Sequence, residues 1–344
     1  MSQYLQLTKF QKKIGIFSVI GILFCFGLSF LRSPYYGNPT YQNKFTFFSE
    51  NINSYNAVVF GSSRMYRHFI PNLFDSLLNT PNLNTFNLAV AGGFNPETYY
   101  LYEKFLETIK PNQIKYVFIE LQPVKEIAEE NMNTERVFYW LNWKYLFFSY
   151  RYILNSNNTN NKIELLTILR KSFFYKLINF SYFEDIFSSK QTSNNFSETE
   201  GYYNSEMQLL DSPNDSSLIA KRQTFLSDTT IVEEKIVPTT LELNNSQLEY
   251  YKNEAHLEKL LEIIETSKQK GIDVIFIIPP RSSRYEELYA LKHYLPKTNV
   301  VDISNAEKYP LLYQSKYSFD VGHLNNAGAI LFTEYLVQEI KNIL

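Results

Sequence analysis

The chain predicts an α/β fold with a mostly parallel sheet, and three observations carry that prediction. Short apolar runs rich in β-branched residues recur along the sequence, most of them stop at glycine or proline, and amphipathic stretches of helical period lie between them. Strands that alternate with helices are brought side by side through right-handed crossovers. At 344 residues, with 44% hydrophobic and 20% charged content, the chain is long enough to bury a substantial core.

The first element is apolar throughout. Residues 14–31, "IGIFSVIGILFCFGLSFL", contain no charge, and at a rise of about 1.5 Å per residue they nearly cross a hydrocarbon core of ~30 Å. Lys9, Lys12 and Lys13 precede the run and only Arg32 follows closely, so the charge bias places the N-terminus in the cytoplasm. The expected organisation is a basic leader at 1–13, a transmembrane helix at 14–31, a linker at 32–44 and the main domain at 45–344. A cleaved signal peptide is the competing expectation, yet "SFLRSPYYG" offers no clear small-x-small cleavage site. Cys25 is the only cysteine, so the chain after it can form neither an intramolecular disulfide nor a thiolate metal site.

The linker "RSPYYGNPTYQNK" has the proline and asparagine content of irregular chain. "AVVF" (57–60), ending at Gly61, predicts a buried strand, and "TFNLAV" (85–90), closed by Ala91-Gly92-Gly93, predicts a second. Asn95-Pro96-Glu97 has the cap, the first-position proline and the early acid of a helix start. That helix is expected to run to Pro111. "IKYVFIEL" (114–121) is a third strand, stopped by Gln122-Pro123. From about 125 to 245 the chain is rich in asparagine, serine and aromatics, with helical patches, and is expected to be an inserted cap that shapes a substrate groove. "LEYYKNEAHLEKLLEIIETSKQKG" reads as one helix leading into "IDVIFIIPP" (272–280), an apolar run of the kind buried on both faces of a parallel sheet. "YEELYALKHYL", the strand-like "NVVDIS" and a closing helix "NAGAILFTEYLVQEIKNIL" complete the domain.

In open parallel sheets ligands bind beyond the carboxyl ends of the strands, and the residues able to carry chemistry fall there. Ser62 and Ser63 follow the first strand, Gly92 and Gly93 the second and Gln122 the third, while Asp320 stands three residues before His323 ahead of the last helix. A serine hydroxyl needs a base to take its proton, and the base needs a partner that fixes its tautomer. Of the four histidines, His256 and His293 lie in amphipathic helices and are expected to be surface or packing residues. His68, five residues after Ser63, could line a site but is awkwardly placed to be its base, which leaves His323 with Asp320. Gly92 and Gly93 could present backbone N–H groups to an oxyanion or only permit a tight turn. Arg64 and Arg67 are candidates for contact with an anionic or sugar substrate, or are simply solvated. No second histidine or carboxylate cluster stands near His323 at ligand spacing, so a metal is not expected. A formal net charge of −2 gives no case for nucleic acid.

These motifs resemble the SGNH (GDSL-like) hydrolase superfamily. "VVFGSSR" is similar to its first block, with Ser63 at the nucleophile position and Ser62 where an aspartate is usual; "NLAVAGG" is similar to the second, with Gly92 at the oxyanion position; Asp320 and His323 match the last. "GHLNNAGA" most resembles the membrane-anchored branch that includes alginate O-acetylation proteins and the D-alanine-transfer protein of teichoic acid synthesis. The resemblance covers about 55–123 and 245–344. It departs in the third block, where "IELQPVKE" has no asparagine and leaves Gln122, or the Ser63 and Gly92 backbone alone, for the oxyanion.

What the resemblance implies is a flavodoxin-like three-layer α/β/α sandwich with an inserted helical cap and one N-terminal transmembrane helix. It implies no cofactor and an extracytoplasmic serine O-acyltransferase or esterase, single-pass in a bacterial cytoplasmic membrane. The expected substrate is an acyl, and first of all acetyl, ester of a cell-envelope or exported polysaccharide, with a membrane acyl-transfer or polysaccharide-export protein as partner. The alternative expectation is a catalytically silent, membrane-anchored domain of the same fold that binds glycan or a synthase.

Overall fold

The computed structural model describes residues 2–29, 35, 38–134, 136–157, 161–178, 196–233, 242–281, 283 and 285–343. Five strands form one all-parallel sheet: β1 (Ala57–Phe60), β2 (Thr85–Asn87), β3 (Tyr116–Glu120), β4 (Asp273–Ile278) and β5 (Val300–Asp302), in the order β2-β1-β3-β4-β5. The register sets Ala57 opposite Thr85 and Tyr116, and Tyr116 opposite Asp273, so the strands finish at one common edge. Ser62-Ser63, Gly92, Gln122 and Arg281 all emerge there.

Because side chains alternate along a strand, the central strands β1, β3 and β4 each feed two apolar clusters. Val58, Phe60, Val117, Ile119, Val274 and Phe276 pack with Phe48, Tyr102, Phe105 and Leu260 from the helices Pro39–Glu50, Glu97–Thr108 and Glu254–Lys268. On the other face Ala57, Val59, Phe118, Ile275 and Ile277 meet Met65, Phe74, Phe332 and Leu336 from Ser63–His68, Pro71–Leu78 and the closing helix Asn326–Ile340. Both faces of the sheet are therefore covered, which accounts for the continuous apolar runs of β3 and β4.

Several predicted boundaries shift for identifiable reasons. β2 stops at Asn87 because that side chain turns into the chain, accepting from Ala89 N at 3.0 Å and donating to Met65 O and Phe69 O. The helix predicted to open at Asn95 begins at Glu97, since the Asn95 amide donates to Gln122 O instead of capping. The single helix expected around 248–271 is two, Asn245–Tyr251 and Glu254–Lys268, because the Asn253 side chain caps His256 N. The described parts of the predicted insertion are helical, including Trp143–Asn155, Lys162–Ile178, Ser205–Asp211 and Ser216–Ser227.

A helix spans Ser2–Ser29 and packs against Lys162–Ile178. Among the described residues no helix is long and apolar enough to cross a membrane. The span predicted at 14–31 ends on residues 30 and 31, outside the described residues.

Candidate active site

Gly61 ends β1, and the backbone must pass close to its neighbours there. A Cβ at this position would lie 2.7 Å from Met65 Cγ and 2.8 Å from Glu120 Cβ. Ser62 caps the following helix by accepting Arg64 N at 3.2 Å, which sets Ser63 at the first helical position. From there Ser63 Oγ reaches His323 Nε2 at 2.8 Å. His323 Nδ1 lies 3.0 Å from both Asp320 oxygens, and Asp320 Oδ1 also accepts Gly322 N at 2.7 Å and His323 N at 2.8 Å. Burial opposes the Asp320 charge, but the His323 ring and these two N–H groups outweigh it and hold the carboxyl below the usual aspartate range. An ionised Asp320 fixes the proton on His323 Nδ1 and leaves Nε2 free to accept from Ser63. The Ser63, Asp320 and His323 predicted from sequence are thus brought together as one hydrogen-bonded chain.

The Gly92–Gly93 turn lies beside this chain. Val90 N donates to Gly61 O at 3.1 Å, and a Cβ on Gly93 would come within 3.0 Å of the same oxygen. Gly92 has φ of +67°, in the left-handed region that favours glycine, and Arg136 Nη1 lies 2.7 Å from where a Cβ would stand. The helix after the turn starts at Glu97, so the turn is not itself the helix N-terminus. Among the described residues neither the Ser63 nor the Gly92 backbone N–H has an acceptor. Those two donors remain open to an oxyanion.

Two predicted residues have other work. Gln122 is fully buried, donates from Nε2 to Gly93 O at 3.2 Å and accepts from Thr98 at 3.3 Å; it supports the turn from below rather than facing the Ser63 hydroxyl. Arg67 is buried and donates to Ser205 Oγ at 3.0 Å and to Gln208 Oε1 at 2.6 Å. Through these two bonds it ties the helix Ser63–His68 to the insertion. Arg64 is partly buried beside Ser63 and keeps an unpartnered Nε among the described residues.

Two positions at the cluster, Glu120 and Arg281, were not singled out in the sequence. Glu120, fully buried at the end of β3, accepts both Ser62 N and Ser62 Oγ at 2.7 Å through one oxygen and pairs with Arg281 at 3.0 Å through the other. A lone acid within "YVFIEL" and an arginine straight after "IIPP", both at strand carboxyl ends, were the available signal. His68 is buried and accepts Leu324 N at 2.9 Å on Nε2. Burial first, then His323, Arg64 and Arg67, push its pKa well down, so it is neutral. It anchors the chain next to His323, whereas His256 sits in the core between Tyr99 and Glu287, as a packing residue should.

A cleft lies against the cluster, lined by His68, Arg281, Tyr313, Asp320, His323 and, from the insertion, Val232. The insertion grips this loop as well: Arg222 donates to Ser318 O at 3.0 Å and Phe319 O at 2.6 Å, just before Asp320. Among the described residues no group of histidine, cysteine and acidic side chains is arranged to hold a metal.

Behind Gly92, Arg136 pairs with buried Glu97 at 2.7 Å, and Glu126 lies buried near them. Burial, then the Glu97 carboxylate, raise the Glu126 pKa to about 9. With the folded pKa above the unfolded one, ionisation opposes folding, so stability is lost as pH rises from the ordinary glutamate value of 4.5 towards 9. Glu126→Gln should therefore add about 1–3 kcal/mol at pH 8 and nothing near pH 4.5. Denaturation midpoints of the two proteins across that range check it; parallel profiles would show the shift to be absent.

An α/β domain with an all-parallel sheet, carrying a serine, a histidine and an aspartate in hydrogen-bond sequence at its strand ends, is what fold and site together define. The chain belongs to a family described as "Protein of unknown function (DUF1574)", which matches residues 44–321. No curated protein matches it.

Proposed function

We propose that this chain is a membrane-anchored SGNH-type serine O-acyltransferase or esterase, acting outside the cytoplasmic membrane of a bacterium on acyl, and first of all acetyl, esters of a cell-envelope or exported polysaccharide. The single observation that carries the proposal is the 2.8 Å bond from Ser63 Oγ to His323 Nε2, with Asp320 behind the ring. The strand order β2-β1-β3-β4-β5 and the helices on both faces support a flavodoxin-like three-layer sandwich.

In the proposed reaction Ser63 Oγ attacks the acyl carbonyl carbon while its proton passes to His323 Nε2. The Ser63 and Gly92 N–H groups receive the oxyanion. Collapse breaks the bond to the sugar oxygen, which leaves with the proton from His323, and the acyl group stays as an ester on Ser63. Water or an acceptor hydroxyl then attacks that ester, giving its proton to His323, and Ser63 recovers it as the product departs.

The anchor is supported by the N-terminal helix, where Phe17 is 78% and Phe24 66% exposed, and by the insertion helix carrying Trp143 and Phe147, 61% and 63% exposed. Large apolar side chains gathered in the open mark a contact with lipid or protein. The silent-domain reading keeps one observation in its favour, the engagement of Gln122 with Gly93 O. A fluorophosphonate probe on cells expressing the full chain tests both parts. The expected result is a Ser63 adduct that disappears in His323→Ala and sediments with carbonate-washed membranes. No adduct favours the silent domain, and an adduct in the soluble fraction removes the anchor.

A further inference from the structure

Two arginines, Arg281 in the wall of the cleft and Arg64 next to Ser63 at its side, carry charge that the Ser63 chemistry does not use. Arg281 follows Pro279-Pro280 beyond the carboxyl end of β4, is only 5% exposed and yet lines the cleft beside Asp320 and His323. Its Nη2 donates to Glu120 Oε1 and to Leu121 O, both at 3.0 Å, while its buried Nε has no acceptor among the described residues. Arg64, the residue after Ser63, also has a buried Nε without an acceptor, and no carboxylate pairs with it among the described residues. The two guanidinium groups feel each other: burial first, then Arg64, bring the Arg281 pKa down to about 10.

Glu120 pairs with Arg281, whereas among the described residues no carboxylate pairs with Arg64, and the buried Nε–H groups of both arginines are left without acceptors. Holding unpaired donors out of water is costly unless a ligand supplies the missing acceptor. A planar or tetrahedral oxyanion fits best, because guanidinium groups present several N–H donors in a rigid fork that matches carboxylate and phosphate oxygens.

We propose that Arg64 and Arg281 form an anion subsite in the Ser63 cleft, and that the substrate carries a carboxylate or phosphate close to its scissile ester. The position of the ester rests on the reading of Ser63 as nucleophile; the binding of the anion does not.

Calorimetric titration of the purified full chain in detergent with inorganic phosphate, and separately with succinate, reads the subsite without any acyl chemistry. Saturable binding of at least one anion is expected, retained in Ser63→Ala and weakened about tenfold or more in Arg64→Gln. Preference for phosphate assigns the anion to a phosphorylated glycan or lipid, and preference for succinate assigns it to a carboxylated acyl group or sugar. Arg281→Lys, which keeps a cation opposite Glu120, should weaken the same anion while the melting temperature stays within a few degrees. Absence of saturable binding in the unmodified chain, or equal affinity in Arg64→Gln, overturns the subsite. A chain that takes the fluorophosphonate but binds neither anion keeps the nucleophile and loses the subsite; one that binds an anion but takes no label does the reverse.

Discussion

Replacing Ser63 by alanine lowers turnover of an activated ester such as p-nitrophenyl acetate by about 10⁴-fold or more, with KM changed only a few-fold. On the proposed mechanism, removing Oγ removes the atom that bonds to the carbonyl carbon, whereas the cleft walls and the Ser63 backbone N–H remain. His323→Ala should fall to the same floor, because among the described residues Nε2 is the proton acceptor bonded to that hydroxyl. The double variant should fall no further than either single one, since residues acting as a unit are not additive. Steady-state rates of the three variants decide the matter: retention of more than about a tenth of the activity in Ser63→Ala places the chemistry elsewhere.

The largest loss of stability is expected from Glu120→Ala. Glu120 is fully buried, answers the equally buried guanidinium of Arg281 and receives two hydrogen bonds from Ser62. Truncation leaves a buried cation without its partner and two donors unsatisfied, a change that costs about 3–5 kcal/mol. That is a large share of the ~5–15 kcal/mol available to a folded domain. Urea unfolding of the two proteins measures it, and a difference below about 1 kcal/mol would mean that water or a neighbour takes over the role.

Much of this was legible in the residues alone. The sheet followed from apolar runs broken by Gly61, Gly92 and the proline pairs, and the cluster followed from strand-end position plus the Asp320-x-x-His323 spacing. The helix break at Asn253 and the early end of β2 at Asn87 were hidden, because an asparagine side chain can bond to backbone on either side and only the fold decides which. Arg67 and Arg64, three residues apart, looked equivalent; among the described residues the insertion supplies acceptors to Arg67 and none to Arg64 Nε. Glu120 and Arg281 lie 161 positions apart and meet only through the β3–β4 pairing, a relation that no local pattern carries.

The short helix Ser63–His68 holds the closing loop at two points, Ser63 on His323 and His68 on the neighbouring Leu324 N–H. One contact would fix a distance but leave the loop free to pivot about it, as a door turns on a single pin. Two contacts from the same rigid turn also set the angle at which the imidazole meets the hydroxyl. The orientation of the imidazole is thereby set from one helical turn, to which the insertion adds a third hold through Arg222 on Ser318 O and Phe319 O.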